Sequence, residues 1–262
     1  MDILHLDQLS FNEIRGWLFD ALHDRVPVPK LAPDEPPDVA ILAHEHTLAR
    51  GTQRGLERAC QDLVLEFMKR GEGSVPYVDA LLRLAAGLEI RPLAGPLAAM
   101  ALRFAEFPAI ALETRQAIAL TLIDLKELQP LEFWRTLLQQ DAQAFAGAVL
   151  SGTLARSWQA GVALLPELPD DLMFGSVAYV ILEQTLEDLP LAKRFTCLHE
   201  IQAIRRSCPP ALSASLDRLV REFVPGAPTS RASSILHDAI AESRFDSARE
   251  ALGKPMKSRL AA

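Results

Sequence analysis

Apolar residues recur along most of this chain at spacings of three and four, the period of one helical face. Behind Ser10 and Glu13, which form a capping box, Ile14, Trp17, Leu18, Ala21 and Leu22 mark a first helix. The pattern thickens between Pro108 and Pro130. Its centre, from Gln116 to Ile123, carries no charge and is apolar on nearly every side, unlike a surface helix with one wet face. Proline at each border is the expected punctuation, because proline starts helices and does not continue them. The stretch predicts a central helix of about five turns, covered by neighbours on two or more sides.

The same period predicts further helices at 38–50, 52–70, 76–88, 92–106, 131–140, 170–188, 191–207, 210–223, 230–243 and 245–252. Gly51, the turn Gly71-Glu72-Gly73-Ser74 and Pro92 separate the early ones. Segment 142–165 is rich in small residues and predicts two helices, or one broken at Ser151-Gly152. No segment alternates with period two, and no Asn-Gly or Asp-Gly hairpin turn occurs. The fold class is therefore all-α, with about twelve helices. Five prolines from Pro27 to Pro37 make an extended stretch that cannot be helical, either a plain connection or a bracing strap against a partner. The expected organisation is a helix plus Pro-rich connection over 1–37, a helical body over 38–252, and a flexible tail over 253–262.

Thr114, Arg115, Ala117, Ala119, Leu122 and Leu125 fall in an order that resembles the second helix of a HEAT repeat, and GPLAAMALRFAEFP before them supplies its first helix. The resemblance covers one helical pair, roughly an eighth of the chain. It implies an irregular HEAT-like solenoid of stacked pairs. Prolines at or near helix starts (Pro76, Pro92, Pro108, Pro130, Pro169, Pro190, Pro209) come at irregular intervals. A degenerate solenoid tolerates such drift because each pair touches only its neighbours; a compact multi-helix domain is the alternative.

Composition supports the helical reading: 49 % of residues are apolar, only 6 % are aromatic, and leucine and alanine dominate. The net charge of −7 argues against a general nucleic-acid binder. From Leu191 onward, however, 12 Lys/Arg stand against 7 Asp/Glu. Arginine outnumbers lysine 21 to 6 and Asn12 is the only asparagine, as in a GC-rich, bacterial coding background, which weakens the excess of arginine as a sign of DNA or RNA binding. Cys60, Cys197 and Cys208 have no metal-binding spacing; on one helix the last two stand about 16 Å apart, too far for a disulfide. Free thiols in apolar surroundings, an acidic N-terminus, and no run of 18 uncharged apolar residues predict a cytoplasmic protein without a membrane span.

Catalytic signatures are missing: no GxSxG, phosphate loop, HExxH, GxGxxG or EF-hand loop occurs. His44 and His46, two apart, point away from each other on a helix and cannot share a metal. Asp20 and His23 share a face but read as a solvated or helix-end pair. Glu183 and Glu187 read as a solvated acidic edge, Cys197 and His199 as a buried thiol beside a surface imidazole, and Trp17, Trp134 and Trp158 as core anchors. The remaining constellation is basic. Arg205 and Arg206 end one helix, and Arg218 and Arg221 lie a turn apart on the next, so an antiparallel pair makes them a partner-facing patch; dipole complementation and pairing with Asp217 and Glu222 is the competing role. No metal, cofactor or catalytic residue is assigned. The first functional expectation is a non-enzymatic adaptor or scaffold holding a partner protein on a helical-repeat surface. A HEAT-like DNA-binding protein or DNA glycosylase is the alternative the resemblance implies, and an oligomeric all-α enzyme with a dispersed site is the third.

Overall fold

The computed structural model describes residues 3–223 apart from 31 and 33. The expected helices at 230–243 and 245–252, and the tail at 253–262, lie outside the described residues. Within them the chain forms twelve α-helices and no strand. These are α1 (Phe11–Leu22), α2 (Pro37–Glu45), α3 (Arg50–Arg70), α4 (Val75–Gly87), α5 (Ala94–Ala101), α6 (Leu112–Asp124), α7 (Leu131–Gln140), α8 (Ala142–Arg156), α9 (Trp158–Leu164), α10 (Leu172–Glu187), α11 (Leu191–Ile204) and α12 (Pro210–Phe223). Short 3-10 turns lie at Arg91–Leu93, Phe104–Glu106, Leu165–Glu167 and Arg205–Ser207.

Several borders differ from the sequence expectation, each for a local reason. The central helix is α6, shorter than the span between its prolines. It starts after Ala111 and stops where Lys126 turns into the left-handed region at φ 58°. Gly51 lies inside α3 and separates nothing; the break before it is the turn after Glu45. The expected helix at 92–106 is α5 flanked by two 3-10 turns. Segment 142–165 does form two helices, but Ser151-Gly152 stays within α8. The break is Ser157, whose extended backbone ends α8 and whose Oγ accepts from Ala160 N at 3.0 Å to start α9.

The chain divides into two compact units, Met1–Leu137 and Leu138–Ala262. In the first, α1 lies on α3, α2 on α4 and α4 on α6, while α3 also touches α4 and α5 touches α6. The helices thus fall into two rows, α1-α3-α5 and α2-α4-α6, and the chain changes row at each step. α4 and α6 run in the same direction: Asp79 near the start of one feels Glu113 at the start of the other, and Glu89 just past α4 pairs with Lys126 just past α6 at 3.6 Å. Both of those stop residues have positive φ, 52° and 58°. From Thr114 to Asp124 no residue of α6 is exposed, as its all-round apolar sequence requires.

In the second unit, α8 lies on α10 and α10 on α12, with α9 on α11 and α11 on α12. The rows here are α8-α10-α12 and α9-α11. Aspartates cap three of its helices, with Asp141 accepting from Ala144 N at 3.0 Å, Asp171 from Phe174 N at 2.8 Å, and Asp170 from Ala211 N at the start of α12 at 3.0 Å.

Candidate partner-binding surface

Of the four arginines expected to face a partner, two sit where α11 hands over to α12 and two lie towards the far end of α12, and they are not equivalent. Arg205 and Arg206 lie in the 3-10 turn that finishes α11, and Arg218 and Arg221 lie on α12. Asp217 gathers two of them: its carboxylate pairs with Arg205, and its backbone carbonyl accepts from Arg221 Nε at 3.1 Å. Arg218 turns the other way. Its Nε donates to Glu222 Oε1 at 2.8 Å, one helical turn on, and its guanidinium lies 4.8 Å from the centre of the Tyr179 ring on α10.

Tyr179 completes this network. Its hydroxyl lies against Glu222 and, at 2.9 Å, Glu183 Oε1. Burial first, then the two carboxylates, push its ionisation far above the ordinary phenol range, so it stays a hydrogen-bond donor. Glu222 in turn holds the Arg218 guanidinium in its charged form. Glu183 is therefore part of a half-buried polar network rather than the solvated acidic edge expected from sequence, while Glu187 is exposed.

The side chains of Arg205 and Arg218 are only 28 % and 25 % exposed, and both sit in ion pairs within the fold. Arg206 and Arg221 are exposed. Four guanidinium groups thus stand among three carboxylates (Asp217, Glu222 and Glu183), and the outward positive charge is concentrated at Arg206 and Arg221.

A second arginine arrangement was not anticipated. Arg115, the fourth residue of α6, donates from Nε to Ile110 O at 3.0 Å and from Nη2 to Phe107 O at 3.1 Å, closing the turn that enters its helix. Arg194, the fourth residue of α11, does the same to Leu189 O at 2.7 Å and Glu187 O at 2.5 Å. The shared signal is an arginine four residues into a helix that follows a proline-containing turn.

The other candidates resolve into structural roles. His44 lies in the last turn of α2 and His46 caps its end. His23 Nδ1 is 2.7 Å from Phe19 O, and its ring stacks on Tyr77 at 4.1 Å, while Asp20 pairs with Arg25. Cys197 is buried and His199 exposed; burial raises the pKa of all three thiols, that of Cys208 to about 11, which leaves them poor nucleophiles. Trp17 and Trp134 are core residues, whereas Trp158 is half-buried and donates from Nε1 to Glu200 Oε2 at 2.6 Å.

In the first unit a fully buried carboxylate, Asp38 at the start of α2, receives Arg83 through Nε at 2.8 Å and Nη2 at 3.1 Å. Asp79 lies near the same guanidinium, and burial raises its pKa. Among the described residues no three His, Cys, Asp or Glu side chains converge as metal ligands, and no helix is long and apolar enough to cross a membrane. No family model, curated protein or solved structure matches this chain.

Proposed function

We propose that this chain is a non-enzymatic adaptor, built in each unit from stacked helical pairs in the HEAT-like manner, that holds a partner protein through its helical-repeat surface. The observation that supports the reading is the two-row order: within each unit, helices two places apart in the chain meet, and the pairs α1/α2, α3/α4, α5/α6, α8/α9 and α11/α12 meet as neighbours, as stacked helical pairs would. The matching turn brackets of Arg115 and Arg194 support it, as repeat architectures reuse one local device. Arg206 and Arg221 are the contact residues, with Arg205 and Arg218 holding α12 in place beneath them. A partner that suits them presents Asp and Glu side chains.

The test is capture of partners by the tagged full-length chain from its native host, followed by quantitative mass spectrometry. The expected result is a stoichiometric protein partner lost from the Arg206→Glu/Arg221→Glu variant and weakened by salt. Retention of every partner by that variant overturns the assignment of the surface. A salt-sensitive gel shift with duplex DNA, in the absence of a protein partner, overturns the adaptor reading in favour of nucleic-acid binding.

A further inference from the structure

The hairpin of α11 and α12 carries an apolar ridge among its outward arginines. α11 turns Cys197, Leu198 and Ile201 inward, and its Glu200 side faces α9 through the bond to Trp158. With 3.6 residues per turn, Leu191, Phe195 and Gln202 share one flank, roughly 140–180° around the helix from Glu200. Leu191 and Phe195 are 66 % and 43 % exposed, and Gln202 is exposed too. The flank therefore points away from α9, towards the α12 side of the hairpin.

Basic residues frame this ridge. Arg206, in the turn that continues the helix, stands about 16 Å beyond Phe195. Arg205 reaches back to Asp217, so α12 runs antiparallel beside α11. Arg221, one turn past Asp217 and bonded to its carbonyl, thus comes level with the first half of α11. None of the exposed residues of α11 is acidic. The nearest exposed acids in the chain, Glu187 and Asp188, precede α11 on the side to which Arg194 turns, about 100° from Phe195. We propose that this flank receives an acidic amphipathic helix of the partner protein.

The inference rests on the adaptor reading and adds what the partner presents. Its apolar residues, three or four apart, seat on Leu191 and Phe195; one carboxylate beside them meets Arg221, and another about three turns along meets Arg206. Charge decides the occupant. An isologous contact with a second copy sets the two Arg221 side chains, each level with the apolar pair, against one another. Two outward arginines fall short of the cluster of about four to eight that holds an anionic membrane surface, and a nucleic-acid backbone asks for a longer positive face. A helix bearing carboxylates satisfies both arginines while covering the apolar pair, the centre-and-rim order of a specific interface.

Site-specific photocrosslinking of the full-length chain in its native host tests it. A benzophenone amino acid in place of Phe195 or Leu191 is expected to mark one peptide of one other protein, rich in Asp and Glu and with apolar residues three or four apart. In place of Gln159, exposed on α9, it is expected not to mark that peptide. Phe195→Asp is expected to weaken binding of the purified partner about tenfold or more, with the circular dichroism unchanged; Leu191→Asp takes its place should that signal fall. No crosslink at either position overturns the proposal. So does a crosslink to lipid, to nucleic acid, to this chain in the same or a second copy, or to a peptide without acidic residues, and so does marking of the same peptide from Gln159. A partner lost from Arg206→Glu/Arg221→Glu but held undiminished by Phe195→Asp overturns this inference and leaves the adaptor reading standing. A partner kept by both variants overturns the surface as a whole.

Discussion

Replacing Asp124 by asparagine should make this protein more stable at neutral pH. Asp124 is the last residue of α6, in a helix whose neighbours withdraw it from water. Burial raises its pKa from 3.8 to about 6. A carboxylate at a helix C-terminus also meets the negative end of the backbone dipole, a further reason for a neutral amide to be preferred there. The folded state binds this proton more tightly than the unfolded chain does. The contribution is therefore fully present below about pH 3.8 and is lost as the pH rises through about 6. The shift corresponds to at most about 3 kcal/mol. Asparagine keeps the shape without the charge, so the expected gain at pH 7.5 is about 1–3 kcal/mol, shrinking towards zero near pH 4.

Urea unfolding across that pH range, followed by tryptophan fluorescence, measures it; Trp17 and Trp134 both report on Met1–Leu137, the unit that contains Asp124. Asp79, whose pKa is also raised, gives the same slope in both proteins and cancels in the difference. A variant less stable than wild type at pH 7.5, or a difference that does not vary with pH, would refute the reasoning.

Two further outcomes are expected in the first unit. Arg83→Ala leaves the fully buried Asp38 carboxylate without its guanidinium; because Arg83 itself is half exposed, water recovers part of the loss, and the cost is about 2 kcal/mol in the same urea assay. An unchanged midpoint would mean that solvent replaces the arginine fully. Lys126→Gly relieves a side chain held at φ 58° and removes only an exposed ion pair to Glu89, so the melting temperature should rise by the equivalent of about 0.5–1 kcal/mol; a fall would show that the pair outweighs the backbone strain.

The helices were legible because their burial is periodic, and their ends less so because stops are made by conformations that composition does not mark. Gly71 ends α3 at φ 65°, and a glycine there advertises itself. Asp24, Glu89 and Lys126 adopt the same left-handed conformation after α1, α4 and α6; Asp tolerates it, but nothing in the residue type announces it at Glu89 or Lys126. The apolar pattern therefore runs on to Pro130, whereas the helix ends at Asp124. Ser157 likewise outdid Ser151-Gly152 as a breaker. Gly152 is buried inside α8, where a small residue serves packing, while the hydroxyl of Ser157 satisfies an orphan N–H that no glycine can.

The arginine cluster was legible in the sequence, but the number of its charges that point outward was not. Counting Arg205, Arg206, Arg218 and Arg221 along the chain makes a patch of four positive charges, since their compensating partners are partly remote. Asp217 and Glu222 lie on the same helix and were visible, but Tyr179 and Glu183 arrive on α10, some forty residues upstream. Once they are in place, Arg218 is a strut between α12 and α10, and reversing its charge would set a third carboxylate against Glu183 and Glu222. Loss of a partner from that variant would then report damage to α12 as readily as loss of a contact. Arg206 and Arg221 carry no such ambiguity: one is exposed, and the other spends only its Nε on a carbonyl of its own helix. Charge reversal at those two positions changes what the surface offers while leaving the Tyr179 network intact, so it separates recognition from folding where the more buried pair cannot.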